Sequence, residues 1–169
     1  KPDNDECLVF DIEKQKQFSW LKKEQLDFFA TRGISEKTLK DNRVCNFKNS
    51  IAFPYFKDNN LMTFKYRSLD KKFFQEGNKP VLMGMDDVDT EKALIICEGE
   101  IDAMNLFSLG LSNTLAAATN QITTAQCKAI HPYIDRIIHF PDADKAGGIA
   151  VKKLNMFFHS ADVKIQVAD

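Results

Sequence analysis

Two segments of this chain share one pattern, in which a short apolar run is followed by carboxylates and then by helical sequence. The first is ALIICEGEIDA, from Ala93 to Ala103, and the second is RIIHFPDADKAGG, from Arg136 to Gly148. Each apolar run has the length and branching of a buried strand. Strands that feed helices form open α/β sheets, which place their sites at the carboxyl edge of the strands. The pattern therefore predicts that acidic residues gather at one edge of a sheet.

The whole second half of the chain alternates strand and helix in this way. A helix start is predicted at Thr123, which forms a capping box with Gln126, while Ile122 and Cys127 form a hydrophobic staple. Such alternation predicts a mostly parallel four-stranded sheet with right-handed crossovers. The predicted strands are Leu94–Cys97, Thr114–Ala118, Arg136–Phe140 and Val163–Val167, and further helices are predicted at Glu100–Leu109 and from Lys145 onward.

The first half of the chain predicts a smaller α+β subdomain. Ser19 is a candidate N-cap for a helix that runs to Arg32, with Gly33 as its stop, and Ser35 caps a shorter helix. From residue 50 onward, apolar and polar residues alternate with a period of two. This pattern predicts a β-hairpin whose strands are residues 50–56 and 61–68. A third strand is predicted at 72–75. We place the two domains at residues 1–90 and 91–169.

Charge is distributed unevenly along a chain whose net charge is only −1. Residues 57–79 contain six bases and three acids, whereas residues 86–102 contain seven acids and one base. Alternation in the second hairpin strand puts Lys65 and Arg67 on one face. A cationic segment ahead of an acidic cluster suits a protein that holds phosphates with one part and metal ions with another. A solvated surface with clustered charges is the alternative.

Composition excludes several classes of protein. No apolar run has the roughly 18 residues that a membrane span requires, so no membrane association is expected. The four cysteines contain no CxxC pair, which argues against bound zinc and against a disulfide framework. We therefore expect a reduced, intracellular protein. The start at Lys1 without a methionine suggests a fragment. Phosphate-loop and dinucleotide fingerprints are absent from the sequence.

The acids after the two strands are the candidate site. Glu98 ends its strand and precedes Gly99, where a backbone without a side chain allows close approach to a substrate. Asp142 and Asp144 are two positions apart and can reach one ion. Carboxylate oxygens favour Mg²⁺, with Mn²⁺ as a substitute, and this predicts phosphoryl chemistry. The alternatives are helix-dipole stabilisation by Glu100 and Asp102 and ordinary turn chemistry at the aspartates.

These motifs resemble a known family. ICEGEIDA and FPDADKAGG are similar to the Toprim domain shared by primases, topoisomerases and several nucleases. The EGExD form looks most like the primase-helicases of bacteriophages and their organellar relative Twinkle. RGISEKTLKDNRV, IAFPYF, FKYRSLDKKFFQEG and VLMGMDDV resemble the subdomain that precedes Toprim in that family's RNA-polymerase region. The resemblance covers roughly residues 20–169.

The resemblance implies a DNA primase core that makes short RNA primers on single-stranded DNA from ribonucleoside triphosphates. Glu98, Asp142 and Asp144 would be catalytic and would bind metal. Glu100, Asp102 and, by topology, Asp169 would be further metal ligands. The implied nucleotide- or DNA-binding residues are Lys65, Arg67, Lys71, Lys72, Lys145 and Gly99.

The same resemblance implies partners that are absent from this sequence. The family's zinc-binding module and helicase half are missing, so a helicase domain or partner is expected. The expected location is a bacterial or phage-infected cytoplasm, or a DNA-containing organelle. Two alternatives remain open: a catalytically silent Toprim module that binds single-stranded DNA for a helicase, and a Toprim nuclease.

Overall fold

The computed structural model of the chain describes residues 15–76, 81–117, 122–130, 135–142, 145–158 and 164–167. The chain divides into two compact units, Lys1–Lys79 and Pro80–Asp169. The sequence-based boundary at residue 90 therefore lies inside the second unit. No helix of the described residues is long and apolar enough to cross a bilayer.

The first unit is built on a five-stranded antiparallel sheet whose strands are hydrogen-bonded in sequence order. The predicted hairpin is confirmed, with a two-residue turn in which Asp58 and Asn59 both have positive φ, at 54° and 61°. The strands are β1 Phe18–Ser19, β2 Cys45–Phe47, β3 Ser50–Lys57, β4 Asn60–Arg67 and β5 Phe73–Gln75, and the helices are α1 Lys23–Ala30 and α2 Glu36–Asp41.

The first helix begins later than predicted, because Ser19 belongs to a strand. Ser19 pairs with Asn46 in the sheet, and the helix instead starts after Lys22, whose backbone N–H donates to Gln25 Oε1 at 2.9 Å. Two other predicted signals are confirmed. Gly33 follows the helix with a φ of 73°, and Ser35 Oγ accepts a hydrogen bond from the Thr38 N–H at 3.1 Å.

Helix α1 packs on one face of this sheet. The rings of Phe29 and Phe53 meet edge to face with centroids 6.3 Å apart. Gln25 is buried and its amide donates to Asn46 Oδ1 at 3.0 Å. This buried polar pair fixes the helix against β2, since both amides would otherwise lose hydrogen bonds on burial. The opposite face carries a layer of aromatic rings: Phe18, Phe47, Phe64 and Tyr66.

The second unit confirms the predicted α/β class. Its sheet is parallel throughout, and the strands are ordered Thr114–Ala116, Leu94–Cys97, Arg136–Phe140 and Lys164–Val167. Parallel neighbours require crossover connections, and helices occupy these positions in the chain. The strands are β6 Leu94–Cys97, β7 Thr114–Ala116, β8 Arg136–Phe140 and β9 Lys164–Val167, and the helices are α3 Glu100–Ser108, α4 Thr124–Ile130 and α5 Lys145–Phe158. A short 3₁₀ turn spans Met85–Asp87.

The capping box predicted before α4 is confirmed. Thr123 Oγ1 accepts from the Gln126 N–H at 3.1 Å, and Gln126 Oε1 accepts from the Thr123 N–H at 2.8 Å. Ile122 and Cys127, the predicted staple, lie in the same core cluster. That cluster also contains Leu82, so part of the stretch assigned from sequence to the first domain packs with the second unit.

Candidate functional site

The two acidic segments leave the parallel sheet at the same edge. β6 and β8 are adjacent, and their register pairs Cys97 with Phe140, the last residue of each strand. Glu98 follows Cys97 directly, and Asp142 lies two residues beyond Phe140. The predicted convergence of acids from distant parts of the sequence is therefore present in the fold.

A hydrogen bond joins the two acidic segments. Glu98 Oε1 accepts from the backbone N–H of Asp142 at 3.1 Å, across 44 positions of sequence. A hydrogen bond to a charged acceptor is stronger than a neutral one. The Glu98 carboxylate therefore holds the loop that carries Asp142 close to the end of β6.

Glu100 and Asp102 lie in the first turn of α3. Glu100 is buried, with 4% of its surface exposed. Partial desolvation, the negative charge of Asp142 and, more weakly, that of Glu100 raise the pKa of the Asp102 carboxyl. The helix dipole favours acids in the first turn. Carboxylates that repel one another, as these do, need a further explanation. The edge of the sheet thus carries concentrated negative charge.

Cys97 lies under this edge and remains a thiol. Burial, followed by the Asp102 and Glu100 carboxylates, strongly raises its pKa. Its Sγ lies 3.5 Å from both the Gly99 and Leu115 carbonyl oxygens, to which it can donate. A neutral buried thiol is a poor nucleophile, so Cys97 does not offer covalent chemistry here.

Two glycines stand where the backbone is crowded by these acids. A Cβ at Gly99 would lie 2.7 Å from Asp102 Oδ2. A Cβ at Gly147, in the first turn of α5, would overlap the Asp142 carbonyl oxygen and lie 2.9 Å from its carbonyl carbon. By contrast, a Cβ at Gly148 would meet nothing within 4 Å. Gly147 is therefore the glycine that lets α5 pack directly on the Asp142 backbone, a role that its position in the sequence did not reveal.

Some predicted residues lie beyond what the structure describes. Asp144 and Asp169 are outside the described residues, and only the backbone of Lys145 is described, as the first residue of α5. Within the described ranges, no group of three or more His, Cys, Asp or Glu side chains is arranged to hold a metal ion. The metal-ligand roles of these residues stay predictions.

The predicted cations lie in the first unit and differ in their surroundings. Lys65 and Arg67 share a face, because both approach the Phe73 ring, at 5.4 and 5.7 Å from its centroid. Arg67 is only 7% exposed, and its guanidinium also lies 4.4 Å from the centroid of Phe28. Lys71 and Lys72 are exposed in the turn that leads to β5. Arg67 thus packs between the Phe28 and Phe73 rings, a role that the alternation pattern did not indicate.

His139 is buried in β8, and burial lowers its pKa. A histidine that disfavours its charged form is kept neutral near pH 7. It therefore adds no positive charge to balance the acids at the end of the same strand.

Comparison with known proteins agrees with this geometry. Residues 95–169 match the sequence model of the family described as Toprim-like. The primase homolog protein of Arabidopsis thaliana is 40% identical over 109 residues, which are 62% of this chain and 32% of that protein. The Twinkle homolog protein, chloroplastic/mitochondrial, of the same plant is 42% identical over 95 residues, 53% of this chain and 13% of that protein. The chain thus spans at most about a third of these relatives.

Solved structures give the same fold. The primase fragment of the bacteriophage T7 primase-helicase protein is similar with a TM-score of 0.69 and 23% identity, over 83% of this chain and 63% of that one. Because it covers 83% of this chain, the match includes residues of both units. Residues 95–169 of this chain therefore match the Toprim-like family, its sequence is similar to a primase homolog and a Twinkle homolog, and its fold is similar to that of a primase fragment.

Proposed function

We propose that this chain is the catalytic core of a DNA primase, which synthesises short RNA primers on a single-stranded DNA template from ribonucleoside triphosphates. The observation that carries the proposal is the Glu98–Asp142 hydrogen bond, which brings two acidic segments together at the carboxyl edge of the parallel sheet. Open α/β sheets bind their ligands at that edge, and we assign nucleotidyl transfer to it.

The donor set at this edge fits a hard divalent cation. Glu98, Asp102 and Asp142 offer carboxylate oxygens, which suit Mg²⁺ or Mn²⁺ better than softer metals. Burial and then the negative charge of Asp142 raise the pKa of Asp102, and a bound cation would compensate that charge. We assign metal binding to Glu98 and Asp142, with Asp144, Glu100, Asp102 and Asp169 as further candidates. A metal ion bound there would activate a hydroxyl nucleophile and stabilise charge on a phosphoryl group.

The remaining candidate residues would bind and orient the substrates. Lys65, Lys71 and Lys72 carry positive charge on or beside strands β4 and β5, which suits contact with phosphates. Gly99 and Lys145 lie at the starts of α3 and α5, next to the acids, and would approach the nucleotide. A helicase and a zinc-binding module would act with this core, in a cytoplasm or in a DNA-containing organelle.

A second candidate function is a module that binds single-stranded DNA for a helicase without making primers. It is favoured by the structural use of one Glu98 oxygen, which ties two loops together. This contact lets the acidic edge serve the fold without serving catalysis.

Primer synthesis tests the proposal directly. The chain is incubated with single-stranded DNA, labelled ribonucleotides and Mg²⁺ or Mn²⁺, and the products are separated by size. We expect short, metal-dependent RNA, reduced about a hundredfold or more by Asp142→Asn or Glu98→Gln, because a lost carboxylate removes several kcal/mol of stabilisation from the transition state.

Asp135→Asn is the matched control. Asp135 is an exposed acid just before β8, at the opposite end of the strand from Asp142, where it lies 3.6 Å from the Arg136 Nε. This variant should keep full primer synthesis, although it loses the same negative charge as Asp142→Asn. Bound DNA without RNA would support the binding module, shortened DNA would indicate a nuclease, and full activity of Asp142→Asn would refute the assigned site.

A further inference from the structure

Strand β5 exposes two neighbouring phenylalanine rings at the edge of the first sheet. Phe73 is 57% and Phe74 is 63% exposed, and β5 is the last strand in the sheet order. Exposed hydrophobic side chains are common on protein surfaces and carry no meaning by themselves. The environment of each ring, and not its exposure, distinguishes the two.

The two rings lie on opposite faces because side chains alternate along a strand. Phe73 lies opposite Arg67 of the neighbouring strand β4, and its ring centroid lies 5.4 Å from the Lys65 Nζ. Phe74 pairs with Tyr66, and these two rings stack with centroids 5.9 Å apart. Phe73 therefore belongs to a cationic face, whereas Phe74 continues the aromatic layer on the other face.

The cations around Phe73 are held in place by the fold. The Arg67 guanidinium lies near two rings, Phe28 at 4.4 Å and Phe73 at 5.7 Å. The Arg32 guanidinium also lies over the Phe28 ring, 3.7 Å from its centroid. Because Arg67 is almost completely buried, it supplies a fixed positive charge beside the exposed Phe73 ring.

We propose that Phe73 is a stacking platform for a base of single-stranded DNA. Flat rings beside cationic side chains are the surface that unpaired nucleic acid uses, since every base has a face to stack and every nucleotide has a phosphate to neutralise. Lys65, with Lys71 and Lys72 in the preceding turn, would hold the adjoining phosphates. This inference rests on the proposed function to the extent that the chain must bind single-stranded DNA.

A purely structural role for Phe73 makes a different prediction. If its ring only covers Lys65 and Arg67, its loss would disturb those cations and weaken binding to any polyanion of equal length. If the ring stacks on a base, its loss would weaken binding only when bases are present. Comparing DNA with and without bases therefore separates the two roles.

Fluorescence anisotropy with two oligonucleotides of equal length tests the proposal, one of deoxythymidine and one in which every nucleotide is abasic. Wild-type chain should bind the thymidine oligomer more tightly. Phe73→Leu should lose about fivefold to a hundredfold in affinity for that oligomer, and should bind the abasic one as before. Phe73→Trp should restore the preference, because it restores a flat ring.

Phe74→Leu is the matched control, since it removes an equally exposed ring from the adjacent position on the opposite face. It should leave both affinities unchanged, and circular dichroism should show that all variants remain folded.

Equal binding of both oligomers by wild type, an equal loss for both in Phe73→Leu, or no loss at all would overturn the stacking proposal while phosphate binding stands. Binding of neither oligomer by wild type would instead refute DNA binding in the proposed function.

Discussion

The two units of this chain place their candidate functional groups in different ways. In the antiparallel unit, Lys65 and Arg67 lie inside a strand, and the register of β4 fixes the face on which they project. In the parallel unit, Glu98 and Asp142 lie just beyond strand ends, where no ladder of hydrogen bonds holds them. Groups inside a strand are positioned by the sheet itself, whereas groups beyond its edge need contacts of their own.

Those contacts are present at the acidic edge. The Glu98 carboxylate binds the Asp142 N–H, and Gly147 allows α5 to approach the Asp142 backbone more closely than any other residue would. The acidic site should therefore be sensitive to small changes of backbone packing. The cationic face, whose side chains are placed by the strand register, should be less sensitive to such changes.

The largest effect is expected from Gly147→Ala. The new Cβ would overlap the Asp142 carbonyl oxygen and crowd its carbonyl carbon. Both are backbone atoms, which cannot rotate away as a side chain can. We expect about 1–3 kcal/mol of destabilisation from overpacking, together with loss of most primer synthesis because Asp142 is displaced. Urea unfolding and the synthesis assay measure the two effects.

Gly148→Ala sharpens that prediction, because it makes the same change one residue later, where the Cβ meets nothing within 4 Å. Replacing glycine in a helix by alanine should stabilise this variant by about 0.5–1 kcal/mol. If the two variants were equally stable and equally active, close packing on Asp142 would not be what positions the acid.

A smaller effect is expected from Lys65→Gln on the cationic face. It should weaken binding of single-stranded DNA moderately and lower the slope of log K against log salt by about 0.7, since one phosphate contact is lost. Anisotropy titrations at several salt concentrations measure this slope. Lys37→Gln is the control, because Lys37 is an exposed lysine on α2 of the same unit. An unchanged slope in Lys65→Gln would move the DNA-binding surface elsewhere.

Much of the parallel unit could be predicted from sequence. The predicted strands at 94–97 and 136–140 have the observed bounds, and the capping box before α4 makes both of its hydrogen bonds. These features are local: a short apolar run marks a buried strand, and a threonine followed by a glutamine marks a helix start. The shared edge of the two acidic segments followed from the rule for parallel sheets.

The antiparallel unit was predicted less well, because its details depend on contacts between distant residues. Ser19 has the chemistry of an N-cap, but pairing with Asn46 draws it into a strand. Alternation in β4 identified the face that Lys65 and Arg67 share, but not that Arg67 is buried there beside the Phe28 ring. Period-two patterns tell which side chains share a face and not what covers it.

We infer that the acids of two distant segments form one metal-dependent site, and a titration with Mn²⁺ can test this claim. Electron paramagnetic resonance would follow free Mn²⁺ in titrations of wild type, Asp142→Asn and the Asp135→Asn control. We predict that wild type and Asp135→Asn bind Mn²⁺ and release it to excess Mg²⁺, and that Asp142→Asn binds at least about tenfold more weakly. Equal binding by wild type and Asp142→Asn, or no binding by wild type, would contradict the claim.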